Sequence, residues 1–212
     1  MTKRRSGALP TKRGRGAVAA KQQKVPTWAW LVGGGVLAVL AVAGLFYLGN
    51  QGPSLTTNPD IEGAVIFPDP GQGHEDGDLT YSQDVPVGGI HNPQWQNCGI
   101  YDQPVRTENA LHSMEHGAVW IAYQPTLPAD QVEILRNLVR DEQASSQERS
   151  ILLAPKADIQ DPIVATAWRV QLRLEDASDP RLAQFARTYQ KGPYYPEPGA
   201  SCTFGGIGTP LS

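Results

Sequence analysis

The chain has 212 residues, of which 40% are hydrophobic and 18% charged, with 22 Gly, 18 Pro and 2 Cys. That length allows one ordinary domain with extra segments, and so much proline excludes a helical bundle or coiled coil; collagen, low-complexity and multi-cysteine scaffolds are excluded by the same counts. The formal net charge of −3 hides a split, because residues 1–27 carry eight basic side chains and no acidic one, leaving 10 basic against 21 acidic from residue 28 onward.

Trp28–Leu48 (WAWLVGGGVLAVLAVAGLFYL) is an uncharged run of 21 residues. At ~1.5 Å rise per residue a helix of that length crosses a ~30 Å hydrocarbon core. Trp28 and Trp30 at one end and Phe46 and Tyr47 at the other suit the headgroup region, and the basic tail places the N-terminus in the cytoplasm. The expectation is a signal anchor, with residues 1–27 as cytoplasmic tail, 28–48 as transmembrane helix, 49–60 as linker and 61–212 as extracytoplasmic domain. The alternative is a cleaved signal peptide, for which Ala41-Val-Ala43 offers a small-x-small site. The basic tail lacks interleaved aromatics, so nucleic acid is not an expected partner.

Gly49–Asp60 has the Gly, Pro, Asn and Ser content of a linker. Residues 61–108 read as extended loops with a few short strands. Thr107 is placed to cap a helix over Glu108–His116 that Gly117 ends, and Ala118–Tyr123 reads as a strand. Pro128 and Asp130 open a helix to about Asp141, with Val132, Leu135, Leu138 and Val139 on one face. Ile151–Ala154 reads as a buried strand, and Ile163–Leu174 as a longer one whose second half turns Val170, Leu172 and Leu174 to one side. Asp179-Pro180 starts a last helix striped by Leu182, Phe185, Ala186 and Tyr189 and stopped by Gly192, and Pro193–Ser212 is loop. The order implies an α+β domain: a mixed sheet packed by helices, with Ala118–Tyr123 parallel to Ile151–Ala154 and the longer strand antiparallel. Part of a thioredoxin-like fold has this order, but without a Cys-x-x-Cys the likeness concerns architecture alone.

Cys98 and Cys202 stand 104 positions apart. Outside the cytoplasm such a pair is expected as a structural disulfide, with free thiols or metal thiolates as alternatives.

The four histidines, His74, His91, His112 and His116, fall within a 43-residue window. Imidazole is the commonest metal ligand, and on a helix His112 and His116 lie one above the other. Met114 between them suggests copper through a His-x-Met pair, whereas His112-Ser-Met-Glu-His116 also spells H-x-x-E-H, in which Glu115 would serve a zinc peptidase as base. A helix would turn Met114 away from the histidines and favours a site of two histidines plus loop ligands; a strand would align all three, with the histidines ~13 Å apart at Cα, and favours the His-Met pair. Against both stand half-buried rings that only order loops, Met114 as core filler and Glu115 as an ordinary carboxylate.

The strings His74…Tyr81…Pro86-Val-Gly-Gly-Ile-His91, Trp95-Gln-Asn-Cys98-Gly-Ile-Tyr101-Asp102, His112-Ser-Met-Glu-His116-Gly117-Ala-Val-Trp120, Ala167-Trp168-Arg169…Leu172 and Pro196-Glu-Pro-Gly-Ala-Ser-Cys202 resemble the bacterial family called domain of unknown function 3105. The resemblance implies an anchored or secreted outer domain with this histidine and cysteine set, and no activity. Members of that family usually carry Leu in place of Met114, a departure that weakens the His-x-Met pair.

The expectation is therefore a single-pass membrane protein whose outer domain binds a transition metal, copper ahead of zinc. His91, His112 and His116 are first-choice ligands, His74 next, and Met114 or Glu115 auxiliary. It would deliver or buffer metal for an envelope metalloprotein partner. A zinc-dependent hydrolase and a non-enzymatic envelope interaction module are the alternatives, and enzymatic activity is left open.

Overall fold

In a computed structural model of the chain, the described residues are 55–145 and 150–211, with 26, 27, 31, 32, 39–43 and 45. The chain divides into two units, Met1–Gly52 and Pro53–Ser212. The cytoplasmic tail expected over residues 1–27 and the span expected over Trp28–Leu48 fall mostly outside the described residues. Those described within the span are helical and exposed, and no helix among the described residues is long and apolar enough to cross a membrane.

The second unit is an α+β domain built on a mixed sheet. Its strands are β1 (Thr56–Thr57), β2 (Val65–Ile66), β5 (Gly99–Ile100), β6 (Val119–Tyr123), β7 (Ile151–Pro155), β8 (Ile163–Ala167) and β9 (Val170–Leu174), in the spatial order β1-β2-β9-β8-β6-β7-β5. A separate parallel pair consists of β3 (Gln72–His74) and β4 (Gly89–His91). The described helices of this unit are α1 (Thr107–Glu115), α2 (Ala129–Ser145) and α3 (Pro180–Tyr189).

Strand β6 runs parallel to β7 and antiparallel to β8, as expected from the element order. All five residues of β6 are buried, because both faces of the sheet are covered. Val119, Ile121 and Tyr123 face one apolar cluster, with Leu135 and Val139 of α2 and Leu182, Phe185, Ala186 and Tyr189 of α3. Trp120 and Ala122 face a second, with Ala110, Leu111 and Met114 of α1. The period-two alternation of a strand thus divides β6 between two cores. The second core seats the helix that carries two of the histidines.

Three expectations are corrected. The sheet begins inside the segment read as linker, where Thr56 and Thr57 pair with Ile66 and Val65. The run Ile163–Leu174 is a hairpin rather than one strand: Ala167 pairs with Val170 across a turn in which Arg169 takes φ 67°. Its backbone N–H donates to the Val87 carbonyl at 2.7 Å and its Nε to Phe67 O at 3.1 Å, contacts that hold a left-handed conformation without glycine. Thr107 is the first helical residue and Arg106 occupies the N-cap without a side-chain cap; its guanidinium instead binds Gly77 O and Asp78. The helix does end at Gly117, whose φ of 92° is the left-handed stop that glycine provides.

Near the sheet, Arg173 binds Asp84 through both terminal nitrogens and Asp161 at 2.7 Å. Hydrogen bonding from Arg173, against an opposing effect of burial, lowers the Asp84 pKa from 3.8 to about 2. A carboxyl whose folded value lies below its unfolded one contributes stability above the unfolded value and loses it as the pH falls toward the folded one. The denaturation midpoint is therefore expected to drop between pH 3.8 and about 2. The loss is on the order of 2 kcal/mol. Asp84→Asn removes this component, as urea titrations of both chains at each pH would measure.

Candidate metal centre

The sequence places three ligand-type side chains on one face of α1, because His112, Glu115 and His116 are spaced i, i+3, i+4. All three are buried. The β3–β4 pair adds two more, since its register puts His74 directly beside His91. The loop after α3 adds Glu197, held near by its N–H to Glu115 O at 3.3 Å and by the Cys98–Cys202 disulfide.

These side chains converge. Glu115 Oε2 lies 2.9 Å from His91 Nε2, 3.3 Å from His74 Nε2 and 4.0 Å from His112 Nε2. His112 Nε2 lies 3.0 Å from His116 Nε2, which is 3.4 Å from Glu197 Oε2. The donor atoms form two groups that could each hold a metal ion, His74–His91–His112–Glu115 and His112–His116–Glu197, each with its ligand atoms within 4.8 Å of one another.

Backbone carbonyls set the orientation of three rings. His91 Nδ1 donates to Gly89 O at 2.8 Å, His112 Nδ1 to Asn92 O at 2.7 Å and His116 Nδ1 to Ser201 O at 3.1 Å. A carbonyl only accepts, so each of these rings carries its proton on Nδ1 and, when neutral, presents a bare Nε2 lone pair inward. Metal-binding histidines are oriented in this way by a carbonyl or carboxylate on the outer nitrogen. Trp95 covers His116 and His112 with ring centroids 4.9 and 5.7 Å away, and Trp168 stands 5.9 Å from His91.

Burial, aided by the neighbouring imidazoles, pushes His112 down to about 4 although the Asn92 carbonyl opposes it. Burial likewise lowers His116, against Ser201 and Glu197. For Glu115 burial acts upward, but hydrogen bonding and charge from His91, with His112 and His74, outweigh it and hold the carboxyl below its ordinary range. The cluster is thus a buried carboxylate, favoured in its ionised form, with imidazole Nε2 atoms turned toward it and toward one another.

Of the four histidines expected at a common point, His74, His91 and His112 meet in one group, and His116 falls in a second that shares His112. Glu115 is a donor in the first group. Met114 is in neither: it is fully buried in the second apolar cluster, because a residue two positions from a histidine on a helix faces elsewhere. The segment His112–Glu115 is helical, which removes the strand alternative. Cys98 and Cys202 are bonded, with Cα atoms 5.2 Å apart, so neither is a thiolate ligand. Glu197 was not anticipated, although its position in the Pro-Glu-Pro string before Cys202 ties it to the bridge. Asn92 and Ser201 act through main-chain carbonyls that no side-chain motif announces.

The sequence model of a family described as a protein of unknown function, DUF3105, matches residues 73–204. The chain belongs to this family. The DUF3105 match takes in every histidine, both cysteines, Glu115 and Glu197, so the whole cluster lies inside the family's own domain. No curated protein and no solved structure matches the chain.

Proposed function

We propose that the protein is a membrane-anchored, extracytoplasmic metal-binding protein whose centre is formed by His74, His91, His112 and Glu115, and that it delivers or buffers a transition metal for an envelope metalloprotein. One observation carries the metal reading: buried rings fixed at Nδ1 by carbonyls turn their Nε2 atoms toward one another and toward a buried carboxylate. Nitrogen and oxygen atoms this close need a proton or a metal ion between them, and rings anchored through Nδ1 with Nε2 converging are the arrangement that prepares imidazole for a metal ion.

Without Met114 the donors are imidazole nitrogen and carboxylate oxygen. These suit zinc(II) or copper(II), and the soft thioether that favoured copper(I) is absent from the set. The hydrolase alternative requires Glu115 to act as a base on bound water, whereas in the proposed centre its carboxylate is itself a ligand. A role as interaction module with rings that only order loops is disfavoured, because rings serving that purpose need not meet. The anchor is supported by the basic tail followed by the apolar run, and the outer location by the disulfide.

Titrating the metal-free full-length chain with zinc(II) or copper(II) is expected to give stoichiometric binding, and His91→Ala is expected to weaken it by roughly 100-fold or more. Absence of binding by the wild-type chain would end this reading.

A further inference from the structure

We infer that the cluster takes two divalent transition-metal ions side by side, the second held by His112, His116 and Glu197; this rests on the metal-binding reading above. Two ligands of one ion stand at most about twice a bond length apart, ~4.4 Å for bonds of ~2.0–2.2 Å. The six donor atoms do not meet such a limit as one set but fall into two groups sharing His112. One ion therefore leaves His116 and Glu197 unused, although both are aimed at the same place.

The second group has the spacing of a coordination polyhedron. Two of its three edges are 3.0 Å from His112 Nε2 to His116 Nε2 and 3.4 Å from His116 Nε2 to Glu197 Oε2, and the third is within 4.8 Å. A tetrahedral ion with ~2.0–2.1 Å bonds has edges of ~3.3–3.4 Å. His112 Nε2 is also nearer to His116 than to Glu115, 3.0 against 4.0 Å. With two ions His112 chelates the second together with His116, while His74, His91 and Glu115 keep the first. Both His112 and His116 have Nδ1 committed to carbonyls, so their facing Nε2 atoms are acceptors that share no hydrogen bond when the rings are neutral. The outer ligands of the two positions, His74 and Glu197, are 44% and 46% exposed at their side chains, which gives each ion an approach from solvent.

The test loads the metal-free full-length chain with zinc(II), removes excess, and measures metal per protein by elemental analysis. The wild type is expected to retain two equivalents, and Glu197→Ala and His116→Ala one each. A wild type that saturates at one equivalent, with Glu197→Ala unchanged, overturns the second position and leaves the first standing. A wild type that retains none overturns both. Because Glu197 is half-exposed, its variant carries the result if His116→Ala fails to fold. Independently, the copper(II)-loaded wild type is expected to show an electron paramagnetic resonance intensity well below its copper content, as adjacent coupled spins do; full intensity from isolated ions counts against paired sites.

Discussion

A Cys98→Ala/Cys202→Ala chain is expected to lose up to about 4.7 kcal/mol of stability, the chain-entropy value for a closed loop of ~100 residues. The native bridge spans a sequence separation of 104. Its loss acts chiefly on the unfolded ensemble, which gains freedom, but the folded site changes as well. Cys202 O accepts from Cys98 N–H at 2.6 Å, and the neighbouring Ser201 carbonyl orients His116. Releasing this segment frees Glu197 and His116 from their shared geometry. Urea denaturation should show the lower midpoint, and elemental analysis of the loaded variant should show less retained metal. An unchanged midpoint would mean that the C-terminal segment is held by its other contacts, Ile207 N–H to Trp95 O and Leu211 N–H to Ile100 O among them.

The second large effect is expected at Trp120, which is 1% exposed and packs in the cluster beneath α1. Trp120→Ala should cost ~3–5 kcal/mol, the lost transfer energy plus the cavity left among its neighbours. Trp120→Phe should cost far less than that. The indole Nε1 is buried without a hydrogen-bond partner among the described residues, so removing it deletes an unsatisfied donor together with part of the ring. The pair of variants separates packing from polarity. Equal losses in the two midpoints would show that Nε1 has a partner in solution. Because the same cluster seats the helix bearing His112 and His116, metal affinity should fall with stability in Trp120→Ala and stay near wild type in Trp120→Phe.

Much of the domain could be read from periodicity, where burial repeats at the spacing of one element. Leu135 and Val139 of α2 and Leu182, Phe185, Ala186 and Tyr189 of α3 are buried as their stripes require. The β8–β9 hairpin could not be read, because Trp168-Arg169 lacks the Asn or Gly that marks a two-residue turn; tertiary contacts to Val87 and Phe67 supply the conformation instead. The same reasoning applies at the site. His112, Glu115 and His116 were legible because a single helix face relates them, and His74 and His91 because imidazoles seldom cluster by accident. Glu197 is brought in by a disulfide and a loop, and nothing local in the chain specifies that meeting. Met114 follows the helical alternative: proximity along the chain suggests an auxiliary ligand, and helical geometry sends it to the core.

His74 differs from the other three rings. Like His91 it is carried by the two-stranded ribbon outside the main sheet, but its side chain is 44% exposed and, among the described residues, no hydrogen bond fixes its Nδ1. If the proposed metal is bound, a first ligand group in which only His74 is exposed and lacks an Nδ1 anchor is asymmetric in its kinetics. Exchange should start at the His74 side, where an incoming imidazole or carboxylate can replace that ring before the remaining bonds loosen, so handover to an acceptor need not wait for the domain to open.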